Sequence, residues 1–149
     1  MSAWPRFKNW REYVGGFSVE FEVSNYADMI RAREGLIPPK KIRRARLSGV
    51  VDTGASQLVL PAPVVDALGL PKTREAAVRF ADNRTAKRSV VGDVWLEMLG
   101  RSDLFSALVE PAGHDALIGA IVLEILDFIP DCNAQKLVPR DPRTRLVEI

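Results

Sequence analysis

Val50-Val51-Asp52-Thr53-Gly54-Ala55-Ser56 is the stretch on which the reading of this chain turns. An apolar run from Leu47, broken by Ser48 and Gly49, ends on a carboxylate, then a small hydroxyl, then glycine. A buried strand that stops at a carboxylate holds that group rigidly at the mouth of a fold. Gly54 lets the backbone turn back and bring N–H groups to the carboxylate oxygens. Thr53 adds a short hydroxyl able to bond locally or across to a second copy of the same loop. The triplet alone is also an ordinary turn composition, since Asp and Gly are both turn residues. The rest of the chain has to decide.

Composition narrows the choices. At 149 residues, 47% hydrophobic and 27% charged, the chain suits one ordinary globular domain with a single sizeable core. A net charge of +2 makes no case for nucleic acid. The densest basic run, Lys40 to Arg46, reads as the solvated part of a strand and its approach. One cysteine, Cys132, excludes an intrachain disulfide, and with one histidine, His114, it cannot build a zinc site of the usual kind. No metal and no other cofactor is expected. The N-terminus lacks the apolar core of a secretory signal. The longest apolar stretch, residues 116–129, contains Glu124 and Asp127 and is too short to span a bilayer. The expected setting is cytoplasmic, without a membrane partner.

Working outward from Asp52, the pattern is one of many short strands. Residues 1–13 carry Trp4, Phe7, Trp10 and Tyr13 among charges and read as an arm before Gly15-Gly16, with the main domain spanning 14–149. Phe17 to Val23 alternates strictly, predicting a half-buried strand with Phe17, Val19, Phe21 and Val23 inward. Asn25 to Glu34 predicts a short helix closed by Gly35. Residues 42–51 deliver Asp52, and residues 57–60 form a second short strand. Residues 61–69 start with proline and end with glycine, as a short helix does. Residues 76–81 and 85–99 read as strands joined at Asp82-Asn83, a two-residue turn signal. Residues 103–109 make another strand, and residues 121–128 have helical spacing, with Ile121, Ile125 and Phe128 on one side. Residues 136–139 and 146–149 are candidate closing strands. The sum is an all-β (mainly β) domain with two or three short helices.

At this point the chain resembles the retropepsin-like aspartic peptidases, and among them the bacterial-type members. Residues 50–56 look like the family's catalytic loop. The hairpin around Ala81-Asp82-Asn83-Arg84 lies where the family places its flap. Leu117-Ile118-Gly119 is similar to the motif under the active site, and Leu123-Glu124-Ile125-Leu126 to the helix pattern after it. Leu137-Val138-Pro139 resembles a closing strand. The likeness covers roughly residues 14 to 140. Two features depart from it: the insertion-like stretch Asn25 to Lys41, and a flap tip without glycine.

The resemblance implies an acid-protease barrel with one lobe per chain, working as a homodimer on extended peptide or protein substrates. Asp52 would be catalytic, with Thr53 bonding across the two-fold axis and Gly54 giving its N–H to the carboxylate. Ala55 and Ser56 would border the cleft, Ser56 bonding the outer oxygen of Asp52. Ala81, Asp82, Asn83 and Arg84 would close over substrate. Ile118 and Gly119 would be structural, beneath the loop. For Ser56 and Arg84, ordinary loop polarity is an equal alternative. Asp66, Asp82, Asp93, Asp115 and Asp127 fit turns, caps or solvated faces.

The same residues admit two other readings. A phosphoaspartate nucleophile needs a second carboxylate two positions on, and Gly54 stands there. A retropepsin-like dimerisation or peptide-binding module with little turnover is compatible with a stiff flap and an aromatic arm. The intact Asp-Thr-Gly-Ala-Ser argues against it, because pure binding needs no like-charge pair.

Overall fold

The protein is described by a computed structural model over residues 17–147 and 149. The predicted arm, residues 1–13, lies outside the described residues. Strand β1 (Ser18–Asn25) follows the alternation, with Phe21 and Val23 in the core, Phe17 buried just before it and Val19 packed at the margin. Helix α1 (Tyr26–Arg33) starts because the Asn25 side chain accepts the Asp28 N–H at 3.0 Å, and it is followed by Gly35 at φ +77°. A 3-10 turn (Pro39–Lys41) leads into β2 (Arg44–Val51), then β3 (Leu58–Pro61). Helix α2 (Ala62–Leu68) has Pro63 in its first turn and ends at Gly69, whose φ of +61° suits a residue without Cβ. Next come β4 (Lys72–Arg79), β5 (Thr85–Met98), β6 (Arg101–Glu110), β7 (Ala116–Ile118) and α3 (Ala120–Leu126). Strands β8 (Phe128–Asp131) and β9 (Lys136–Pro139) pair with each other as a separate ribbon.

Seven strands share one sheet in the order β1-β2-β7-β3-β6-β5-β4, and β1 also pairs with β5. That extra pairing closes a six-stranded barrel and leaves β4 outside it, bonded to β5 alone. The closure depends on a bend in β5. Its register against β6 slips between Val91 and Val94, where Asp93 sits at φ +58°. Such a bulge turns the strand: before it β5 faces β4 and β6, and after it β1 and β6. Val94, Leu96 and Met98 line the core as their alternation predicts, with Leu58, Leu60, Ile118, Val122 and Leu126.

The stretch Asn25 to Lys41 is held by polar groups. Asn25 also donates to the Leu68 carbonyl at 2.8 Å, tying α1 to the end of α2. Buried Asp28 accepts from the main-chain N–H of Arg43 (3.0 Å) and from its guanidinium (2.8 and 3.0 Å), with Arg31 adding a fourth bond at 3.0 Å. Tyr26 stacks on Trp95 of β5, the rings 5.5 Å apart.

Several expectations need correction. In α3 the buried side is Val122, Leu123 and Leu126, while Ile125 is exposed; Phe128 is buried but opens β8. The helix ends two residues short of its apolar pattern because Asp127 adopts φ +64° and caps it. Leu146 and Val147 are exposed and lie in no strand. Strand β4 begins at Lys72, and its turn is longer than two residues. Asp127 is a cap but is buried, accepting the Leu146 N–H at 3.0 Å and pairing with Arg140 at 2.6 Å. Arg43, read as part of a solvated run, belongs to the Asp28 cluster, whereas Arg46 pairs with Glu20 on the exposed face of the β1–β2 ladder.

Hydrogen bonding from the Arg43 side chain, opposed in part by burial, lowers the Asp28 carboxyl from 3.8 to about 2. A carboxylate depressed on folding stabilises the fold above its unfolded value and loses that contribution as pH falls through the folded one. Arg43 is 47% exposed, so screening trims the contribution to about 1–2 kcal/mol. Asp28→Asn is therefore expected to lower the urea unfolding free energy at pH 7 by about 1–2 kcal/mol. The gap between variant and wild type should close as pH drops from 3.8 toward about 2.

Candidate active site

Asp52 sits one residue beyond β2, where the apolar run predicts it. Its own main chain is anchored by the neighbouring strand: β2 and β7 run parallel, with Val51 opposite Ile118, and the Asp52 N–H donates to the Ile118 carbonyl at 3.1 Å. The loop then turns on itself. The Ala55 N–H reaches the Asp52 carbonyl at 3.1 Å, and the Gly54 N–H reaches Asp52 Oδ1 at 2.9 Å. A main-chain N–H on a carboxylate oxygen fixes its orientation.

The underside of the loop is built by Gly119 and the first turn of α3. The Ala120 N–H donates to the Ala55 carbonyl at 2.8 Å, and the Ile121 N–H to the Ser56 carbonyl at 3.0 Å. These are N–H groups at a helix start, which have no partner within the helix. Gly119 has extended backbone, so conformation does not demand glycine there. Space does: a Cβ would come within 2.8 Å of the Ala55 carbonyl and the Gln57 nitrogen. Ile118 is fully buried.

Upward, the loop faces solvent. Asp52 and Ala55 are half-buried, and Thr53, Gly54 and Ser56 are exposed. Ser56 offers its main-chain carbonyl to α3, not its hydroxyl to Asp52. Among the described residues no three of His, Cys, Asp and Glu cluster as metal ligands would. His114 and Cys132 are both exposed.

Ala81, Asp82, Asn83 and Arg84 form the tip of the β4–β5 hairpin. The loop is a three-residue one: the Phe80 N–H bonds the Arg84 carbonyl at 2.8 Å, the Asn83 N–H bonds the Phe80 carbonyl at 2.9 Å, and Asn83 takes φ +67°. Asparagine thus does here what glycine does in looser tips. The Asp82 carboxyl is held below its ordinary range by the main-chain N–H of Arg84 and then by its guanidinium, 2.6 Å away. Arg84 and Arg88 both lie over the Phe80 ring at 5.4 Å, and Arg88 reaches Glu110 of β6 at 2.9 Å. Phe80, Arg88 and Glu110 were not legible as a group, because only the strand register brings them to one face.

The family model described as Aspartyl protease matches residues 40–122, more than half of the chain, from the approach to β2 through the first turn of α3. The chain belongs to this retropepsin-like aspartyl protease family, and its barrel is a single lobe of that fold. No curated protein is a significant match. No helix among the described residues is long and apolar enough to cross a membrane.

Gly119→Ala places a methyl group against backbone, which cannot swing aside as a flexible side chain can. It is expected to destabilise the fold by about 2–4 kcal/mol, read as a lower urea midpoint with an unchanged slope. Exchange of the Ala120 and Ile121 amides with solvent should accelerate more than that of β5 and β6.

Proposed function

We propose that the chain is an aspartic endopeptidase whose active unit is a homodimer, with Asp52 of each copy supplying one carboxylate of the catalytic pair. The observation that carries this reading is the braced loop at residues 52–56: a carboxylate oriented by Gly54, supported from below by β7 and α3, and open above. One chain offers one such loop, and the chemistry needs two carboxylates. A second copy related by a two-fold axis supplies the other.

Across the pair, one carboxylate is ionised and takes a proton from the attacking water. The other is protonated and donates to the oxygen of the scissile carbonyl as it gains charge. Two carboxylates about 3 Å apart do not both ionise cheaply, so the pair titrates in two macroscopic steps. Exposed Thr53 bonds across the axis and keeps the loops in register. Ala55 and Ser56 border the cleft. The tip at Ala81, Asp82, Asn83 and Arg84 closes over an extended peptide and bonds its backbone as an added strand. A single copy, on this reading, binds weakly and does not cleave.

Cleavage of a diverse peptide pool, followed by mass spectrometry between about pH 3 and 7, tests the reading. Wild type and Asp52→Asn are compared over a range of protein concentrations. Wild-type activity should rise more than linearly with concentration until dimerisation saturates. Asp52→Asn should lose at least about a hundredfold in rate, the lower end of what a positioned acid–base group contributes. A well-folded dimer that cleaves nothing, or a variant as active as wild type, would exclude the proposal.

A further inference from the structure

Strand β1 outruns the hairpin that covers it. It pairs with β2 from Ser18 to Ser24 but with β5 only from Glu22 to Asn25, because the β5–β6 hairpin turns back at Leu99-Gly100. Phe17 gives its carbonyl to Val51 on the β2 side at 3.0 Å, so alternation turns the main-chain N–H and C=O of Ser18 and Glu20 to the uncovered side. An open groove of about 400 Å³ lies along this edge, lined among others by Phe21, Glu20, Glu22, Glu97 and Leu99.

Its chemistry is unusual for an idle surface. Glu22 and Glu97 stand directly opposite each other in the β1–β5 ladder, an unfavourable placement for like charges. Glu22 has only a long contact with Arg44 at 3.9 Å, and the Glu20–Arg46 pair is about two-thirds exposed on both sides. Leu99 occupies the first position of a two-residue turn at φ +52°, a place that favours asparagine, aspartate or glycine, and it is 58% exposed. The edge therefore offers unmet backbone bonds, surplus negative charge and an apolar side chain held over it.

We propose that this edge takes the chain's own N-terminal arm as an added strand. The arm carries Arg6, Lys8 and Arg11 beside Trp4, Phe7, Trp10 and Tyr13. In an extended segment, residues two apart share a face, so Arg6 and Lys8 lie together on one side of the arm, able to meet the acidic edge. Residues 9–16 separate Lys8 from Phe17, which is about 26 Å of chain when extended. That is enough to run back along β1.

The test is amide hydrogen exchange on the full chain, comparing wild type, the double variant Arg6→Glu/Lys8→Glu, and that variant combined with Glu20→Lys/Glu97→Lys. Docking of the arm predicts Ser18 and Glu20 amides that exchange at least about tenfold faster in the first variant, with β6 unchanged and protection restored in the second. Equal exchange at these amides in all three proteins would overturn the proposal, as would a loss of protection spread evenly over the barrel. Protection that grows with protein concentration would assign the edge to an arm from another copy, and would equally overturn docking within one chain.

Discussion

The absence of one methyl group at Gly119 is the constraint on which the site depends. Two pieces of chain distant in sequence, the loop after β2 and the junction of β7 with α3, approach so closely there that only hydrogen fits between them. From that contact follow the bond from Asp52 to the Ile118 carbonyl and those from α3 to the Ala55 and Ser56 carbonyls. The carboxylate is therefore positioned by main-chain groups, which have little freedom to relax. Thr53 and Ser56 beside it are left exposed.

Much of this was legible in sequence because it rests on local pattern. The strand into Asp52, the alternation of Phe17 to Val23 and of Val94 to Met98, and the Pro-start, Gly-end helix all express periodicities that tertiary structure did not override. Gly119 was readable through the resemblance, and its steric reason came with coordinates. What escaped was set by register or by buried polar groups. Asp28 and Arg43 look like surface charges in a polar helix and a basic run. Their partnership spans fifteen positions and a 3-10 turn. Phe80, Arg88 and Glu110 meet only once β4, β5 and β6 are aligned. The end of α3 was misread because its apolar residues continue into β8, while a single backbone conformation at Asp127 stops the helix.

The flap-like hairpin departs from the glycine-rich pattern of retroviral relatives in a physically specific way. Rigidity comes from Asn83 in the left-handed region, from Asp82 bonded to Arg84, and from two guanidinium groups over one ring. Arg88 extends this chain of contacts to β6 through Glu110, both side chains being largely buried. The tip is thus held by charged pairs and cation–π contacts.

The parallel pairing of β2 with β7 has a consequence for the order in which the protein assembles. Val50 and Leu117 lie about seventy positions apart, and Glu22 and Glu97 slightly more. Contacts of such separation form late, because the chain entropy lost in closing a long loop is recovered only afterwards. During synthesis, residues 47–56 leave the ribosome well before the segment that braces them exists. The carboxylate at position 52 stays unorganised until nearly the whole barrel has been made, so a partly built chain carries the motif without the geometry.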